Sequence, residues 1–269
     1  MRLHVGCEFR YEAEVATHAV IQVEPRLDGG VTALDERWVT NPTVGLSRYV
    51  DGFGNMCRRT TIVPGPSTLR YDATIELDGW PDPDRLDAGE CHPADLPAEV
   101  LVFTLPSRYC PSQELGDAAW SLFGSCRPGW RRVQTICDWV HSEITFGYLD
   151  TRPLATAADV FASRAGVCRD FAHLAVTFCR ALNIPARYVF GYLPDIGVET
   201  VIDPMDFCAW MEVFLGGAWY TFDPRNNQPR IGRALIARGR DALDVAMIST
   251  YGGPLLTAMT VWADAVPES

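Results

Sequence analysis

Leu3, Val5, Cys7 and Phe9 alternate with Arg2, His4, Gly6 and Glu8, and Leu69, Tyr71, Ala73, Ile75 and Leu77 alternate with Arg70, Asp72, Thr74 and Glu76. A period of two is that of a strand with one buried face. Strand-like runs also cover 15–23, 37–40, 48–50, 56–62 and 99–104, separated by Gly, Pro and Asp clusters such as Asp51-Gly52. Short strands at such spacing predict an antiparallel β-sandwich over residues 1–110. The stretch 79–97, rich in Pro and Asp, is expected to be a loop.

From about residue 113 the period changes. Trp130, Val133, Ile136, Cys137, Val140 and Ile144 recur at helical spacing after Pro128, and Thr156 with Asp159 resembles a capping box. A further helix is expected to begin near Cys168, with Phe171, Leu174, Ala175, Phe178 and Leu182 as its apolar face and Asn183 and Pro185 ending it. Strand-like runs follow at 186–193, 207–215 and 218–223. Helices and then strands after an all-β segment predict a second, α+β unit over 111–269, its end a C-terminal extension.

The chain has 269 residues and a net charge of -11, and all 23 of its basic residues are arginine. Without lysine there is no Schiff-base enzyme, no pyridoxal-phosphate lysine and no P-loop lysine. The acidic balance argues against nucleic acid or an anionic membrane surface as partner. No run of about 18 apolar residues suits a bilayer, and the alternating, acid-bearing start does not read as a signal peptide. A cytoplasmic location is therefore expected. Nine cysteines, odd in number and without a CxxC pair, read mostly as small buried hydrophobes, and neither a metal site nor a cofactor is expected.

Cys168 stands apart from the other cysteines because it sits where a helix starts, and the unpaired amides and positive end of a helix favour a thiolate. Downstream, Gly216-Gly217 suits a two-residue hairpin turn of the primed type. That turn sets Leu215 opposite Ala218 and Trp210 opposite Asp223. Cys208 then shares a face with Asp223 on the diagonal, roughly 7–8 Å away between backbones, where an imidazole oriented by Asp223 would belong.

These residues carry a resemblance. The run from Gly166 through Cys168 to Leu174, then Gly191-Tyr192-Leu193, Ala209-Trp210-Met211-Glu212-Val213 and Trp219-Tyr220-Thr221-Phe222-Asp223-Pro224 resemble the core of the transglutaminase-like superfamily, in particular its bacterial cysteine-protease-like branch. The run from Leu105 to Cys110 and the β segment before it look like the N-terminal domain of such proteins. The resemblance implies a papain/transglutaminase-like α+β fold with the Cys at a helix N-terminus packed on an antiparallel sheet. It also implies acyl transfer from a glutamine amide or peptide carbonyl, with protein or peptide substrates. By position Cys168 is the nucleophile and Asp223 the orienter, while Cys208 replaces the expected His. A general base contributes about 10²- to 10⁴-fold, so activity is expected to be weak or absent.

Other histidines do not fill the gap. His173 is expected on a more polar side of its helix, with Arg169, Thr177 and Arg180, and His4, His18, His92 and His141 read as structural or exposed. Arg169, Asp206 and Trp210 are candidates to line a substrate cleft, Trp210 competing with a core role, and Asp203 lies in the same loop as Asp206. Arg230, Arg233, Arg238 and Arg240 read as a solvated cluster. Two further functions follow from the substitution: a catalytically silent peptide-binding scaffold, and a redox-sensitive Cys168/Cys208 pair.

Overall fold

A computed structural model describes residues 1–147, 153–199 and 204–267. Six strands come first: β1 (Arg2–Ala13), β2 (Thr17–Ile21), β3 (Thr32–Asn41), β4 (Ser47–Val50), β5 (Met56–Ile62) and β6 (Gly65–Glu76). Helices α1 (Ala98–Leu101), α2 (Gly116–Phe123) and α3 (Trp130–Glu143) follow, then the short strand β7 (Thr145–Phe146), helix α4 (Ala157–Ser163), strand β8 (Ala165–Gly166) and helix α5 (Cys168–Ala181). The remaining strands are β9 (Ala186–Tyr192), β10 (Cys208–Leu215), β11 (Ala218–Phe222), β12 (Ala234–Gly239), β13 (Ile248–Thr250) and β14 (Leu255–Val266). The class is α+β, with an antiparallel β-sandwich joined to a third antiparallel sheet that carries helix α5.

The sandwich follows from alternation. Leu3, Val5, Cys7 and Phe9 of β1 and Leu69, Tyr71, Ala73 and Ile75 of β6 point inward and are almost fully buried. One sheet runs β14-β1-β6-β3 and the other β13-β2-β5-β4. The division at residue 110 is thereby corrected: β14 pairs along nearly all of β1, from Arg2 opposite Val266 to Glu12 opposite Leu255, and β13 pairs with β2. The C-terminal extension belongs to the sandwich because β1 and β2 leave edges that hydrogen-bond to it. The strand expected over 99–104 is a helical turn, α1 continued by a 3₁₀ turn at Val102–Thr104. Val100 and Phe103, three residues apart, are buried on one side while Leu101 is exposed, which is a helical spacing. Within the expected 79–97 loop, Pro93–Asp95 form a 3₁₀ turn whose first amide is capped by His92.

The third sheet, β11-β10-β9-β12, carries α5 on one face. Met211, Val213 and Leu215 join the helical core with Phe171, Leu174 and Phe178, and with Val133 and Ile136 of α3. Phe190, Tyr192, Ala234 and Ile236 instead join the sandwich core with Leu3, Phe9 and Ile75. Helix α5 is thus central, and its polar side is buried as well. Arg180 is 2% exposed and spreads its guanidinium over the carbonyls of Phe103, Leu105, Ala186 and Arg240 and the Ser107 hydroxyl at 2.7–3.2 Å. Five acceptors on three segments explain why a cation is tolerated there. No helix among the described residues is long and apolar enough to cross a membrane.

Candidate active site

Cys168 is the first residue of α5 and is partly exposed. The turn before it depends on Gly166, because a Cβ there would stand 2.6 Å from the Asp170 Cβ and 2.9 Å from its carboxylate. With glycine present, Asp170 folds back and accepts the Val167 N–H at 3.0 Å, closing the start of the helix. Asp170 also takes two bonds from Arg169, at 3.0 and 2.8 Å. The Gly-Val-Cys-Arg-Asp run therefore aims the Cys168 thiol, together with the end of α5, at the sheet.

On the sheet, Gly216 and Gly217 have φ of 57° and 89°, the left-handed pair of a primed turn, and β10 pairs with β11 from Leu215 opposite Ala218 to Met211 opposite Phe222. This register puts Cys208 at the start of β10 against Cys168. The Cys168 thiol donates to the Phe207 carbonyl at 3.9 Å and the Cys208 thiol to the Ala209 carbonyl at 3.8 Å. The neighbouring Cys208 side chain, the larger influence, and the Ala209 backbone outweigh burial and hold the Cys168 thiol below its ordinary value. The same neighbourhood pushes Cys208 well up, and burial adds to the effect.

Asp223 does not complete a triad. It lies just past β11, 7% exposed, and all the acceptor positions of its carboxylate are used. Oδ1 takes the backbone N–H groups of Asn226 at 2.8 Å and Arg225 at 3.1 Å; Oδ2 takes Asn226 Nδ2 at 2.7 Å and Arg233 Nη2 at 2.8 Å. Burial pushes this carboxyl up, but Arg233 and the bonds from Asn226 overcome it and hold it below the usual carboxylate range. Arg233 is itself buried, bridges to Asp82 at 2.7 Å and lies over the Trp210 ring, 4.9 Å from its centroid. The solvated arginine cluster is corrected here: Arg230 and Arg233 are buried, Arg238 bridges Glu212 and Asp28, and Arg240 bridges Asp244. Trp210, 1% exposed, lies beneath Arg233 and does not line the cavity beside Cys168, so its place is the core.

That cavity measures about 430 Å³ and is lined by Cys168, Cys208, Arg169 and Asp206 together with apolar residues from four segments. Arg169 turns its guanidinium to Asp170 and to the Pro153 carbonyl at 3.1 Å. Asp206 sits at the mouth, accepts the Phe207 N–H at 2.7 Å, and has its carboxyl pushed up by burial. Asp203 lies outside the described residues. Phe207 contacts Phe9, Phe190 and Tyr192, with ring centroids 5.3–6.4 Å apart, so the sandwich braces the strand that presents Cys208.

No histidine lines this cavity among the described residues. His173, expected on a polar side, is 1% exposed behind its wall, stacked on Tyr109 at 5.3 Å and against Tyr188 at 4.8 Å. Its Nε2 accepts the Ala242 N–H at 3.1 Å, and burial, with Arg169 and Arg180 nearby, keeps it well below the ordinary histidine range. It is a neutral structural residue. No group of three or more His, Cys, Asp or Glu among the described residues is arranged to hold a metal ion. Sequence reasoning missed Tyr109, Ala242 and the Val245 to Ile248 wall, which carry no motif, and missed Arg233, whose position just before a strand beside the Asp223 block was the available signal.

Residues 119–224 match the family model of the transglutaminase-like superfamily. Among solved structures, a candidate cysteine protease from Cytophaga hutchinsonii superposes with a TM-score of 0.90 at 29% identity, covering 100% of this chain and 92% of that one. An uncharacterized protein of Mycobacterium leprae is 25% identical over 270 residues, 97% of this chain and 96% of its own. Another, from Mycobacterium tuberculosis, is 28% identical over 241 residues, 81% of this chain and 76% of its own.

Proposed function

For a chain whose core is that of the transglutaminase-like superfamily, we propose that Cys168 is the nucleophile of an acyl-transfer site for protein or peptide substrates. Amide turnover is weak or absent, because Cys208 stands where the imidazole belongs. The observation that carries this reading is the Cys168 thiol at the first residue of α5, lining one cavity with Cys208 and Ala209. A thiol stabilised as its anion is nucleophilic without a base. What it lacks is the base's contribution to the later proton transfers, about 10²- to 10⁴-fold or roughly 3–5 kcal/mol of barrier.

The test is iodoacetamide labelling with peptide mapping, joined to amide and ester turnover in wild type, C168A and C208H. Selective labelling of Cys168 at neutral pH, and amide hydrolysis that appears in C208H and vanishes in C168A/C208H, support the reading. Peptide hydrolysis by the wild type that C208H does not raise would refute the incomplete site. Peptide binding shared by wild type and C168A, with turnover in neither C208H nor wild type, would favour the silent scaffold instead.

A second reading rests on the thiol-to-thiol contact. One hydrogen peroxide would oxidise Cys168 and Cys208 to a disulfide, each thiol giving up its hydrogen and two waters forming. Mapping after peroxide treatment should find the linked peptides, and two unlinked thiols would sink it. A cytoplasmic location is part of the same proposal, supported by nine cysteines scattered through the sequence without a CxxC pair.

A further inference from the structure

Amides and thioesters make different demands on a thiol site. An amine leaves an acyl group only with a proton, whereas a thiol, with an ordinary pKa near 8.5, leaves as its anion. The cavity has no imidazole among the described residues to supply that proton. Cys208 has its thiol pushed well up beside Cys168, Tyr188 has its hydroxyl pushed well up by burial, and Arg169 is engaged with Asp170. Asp206, the remaining carboxyl, holds the Phe207 amide at the mouth.

The walls are apolar. Val167, Phe190, Phe207, Val245, Ala246 and Met247 surround about 430 Å³, within the range of pockets that take a small ligand. Beyond Tyr109, Arg169, Tyr188, Asp206 and the two thiols, this lining offers nothing to pair with the amide of a glutamine side chain, and leaving that amide unpaired would be costly. It suits hydrocarbon, each buried methylene being worth about fourfold in binding.

We propose that Cys168 takes apolar acyl groups from thioesters, the acyl chain lying in this cavity; the inference rests on the reading of Cys168 as a nucleophile. The Cys168 thiolate adds to the thioester carbonyl carbon, the new carbon–sulfur bond forms, and the donor's carbon–sulfur bond breaks. The donor sulfur departs as a thiolate with the bonding electron pair. No proton moves, and the product is S-acyl Cys168. The donor is either a small pantetheine-type thiol ester or an S-acylated peptide.

The test incubates the full chain with the acetyl and hexanoyl thioesters of N-acetylcysteamine, S-hexanoylglutathione, and hexanoyl anilide, followed by intact mass and peptide mapping. Hexanoyl is expected on Cys168, absent in C168A, and loaded at least tenfold faster than acetyl, with no loading from the anilide. The faster of the two hexanoyl donors identifies the leaving side. A246F, which fills the cavity, should slow hexanoyl loading more than acetyl loading. Equal rates for acetyl and hexanoyl in the wild type, a comparison independent of any variant's folding, would overturn the proposal. Iodoacetamide labelling of the same preparation separates the two levels. Cys168 labelled but never acylated overturns the thioester donor alone, and Cys168 unlabelled overturns the nucleophile as well.

Discussion

Replacing Arg233 by methionine should cost this protein about 3–5 kcal/mol of stability, the cost of breaking a buried ion pair from one side. The guanidinium neutralises Asp223 at 2.8 Å and Asp82 at 2.7 Å, and the first pair exposes only 7% and 2% of its side chains. Without it Asp223 is a buried carboxylate supported by Asn226 and Arg225 amides alone. Against a typical total of about 5–15 kcal/mol that is a large fraction. With a urea slope of about 3 kcal/mol/M, the unfolding midpoint should fall by about 1–1.7 M, followed by far-ultraviolet circular dichroism and by the fluorescence of Trp210 under the missing cation. The pH dependence gives an independent sign. In the wild type the Asp223 carboxyl is held below its ordinary value of 3.8, so its contribution is present above that value and is lost as pH falls through the lower folded one. In R233M burial is opposed by the Asn226 and Arg225 bonds alone, so the folded carboxyl moves upward from its wild-type position. R233M should therefore lose less stability than the wild type as pH falls through the range in which Asp223 takes its proton. A loss under about 1 kcal/mol at neutral pH, or an acid slope equal to that of the wild type, would refute the view of Asp223 as the counter-ion of Arg233.

Three further outcomes are expected. Cys208→Ala removes the side chain that chiefly lowers Cys168, so the pH profile of Cys168 alkylation should move to higher pH; an unmoved profile would show that the Ala209 amide and the helix start suffice. Arg180→Met strips partners from four carbonyls on three segments and should destabilise by about 3 kcal/mol or more, read from urea unfolding, whereas a loss within about 0.5 kcal/mol, that of a surface change, would contradict its role. His173, held neutral in the fold, takes a proton only on unfolding below about 6.5, so its presence should lower stability as pH falls from 7 to 5; His173→Gln should flatten that slope.

The sheet elements with one buried face were readable because alternation records which side meets the core, as in β1 and β6. The hairpin register was readable because Gly216-Gly217 admits few turns, and from it the approach of Cys208 to the site followed. The 99–104 segment misled because Val100 and Phe103 are compatible with either period over so short a stretch. Helix α5 misled in another way. Its polar residues suggested a wet face, but Arg180 and His173 are buried against segments far away in sequence, and no local pattern encodes such partners. The same holds for Arg233, whose counter-ions lie 10 and 151 residues away along the chain. The cavity wall from Val245 to Ile248 is an irregular approach to a strand, and only the completed sandwich brings it beside Cys168.

That completed sandwich has a bearing on how the protein is made. The partner of β1 is β14, so the first of these strands to emerge from a ribosome and the last must meet across almost the whole chain. Domains ordinarily fold as they emerge, N-terminal first. Here β1 must wait with one edge unpaired until residues 255–266 arrive, while α5 and its sheet can already assemble. Synthesis would therefore deliver the thiol-bearing core before the brace that Phe9 supplies to Phe207 is locked in place, and a chaperone that shields an open strand edge is the kind of helper this topology calls for.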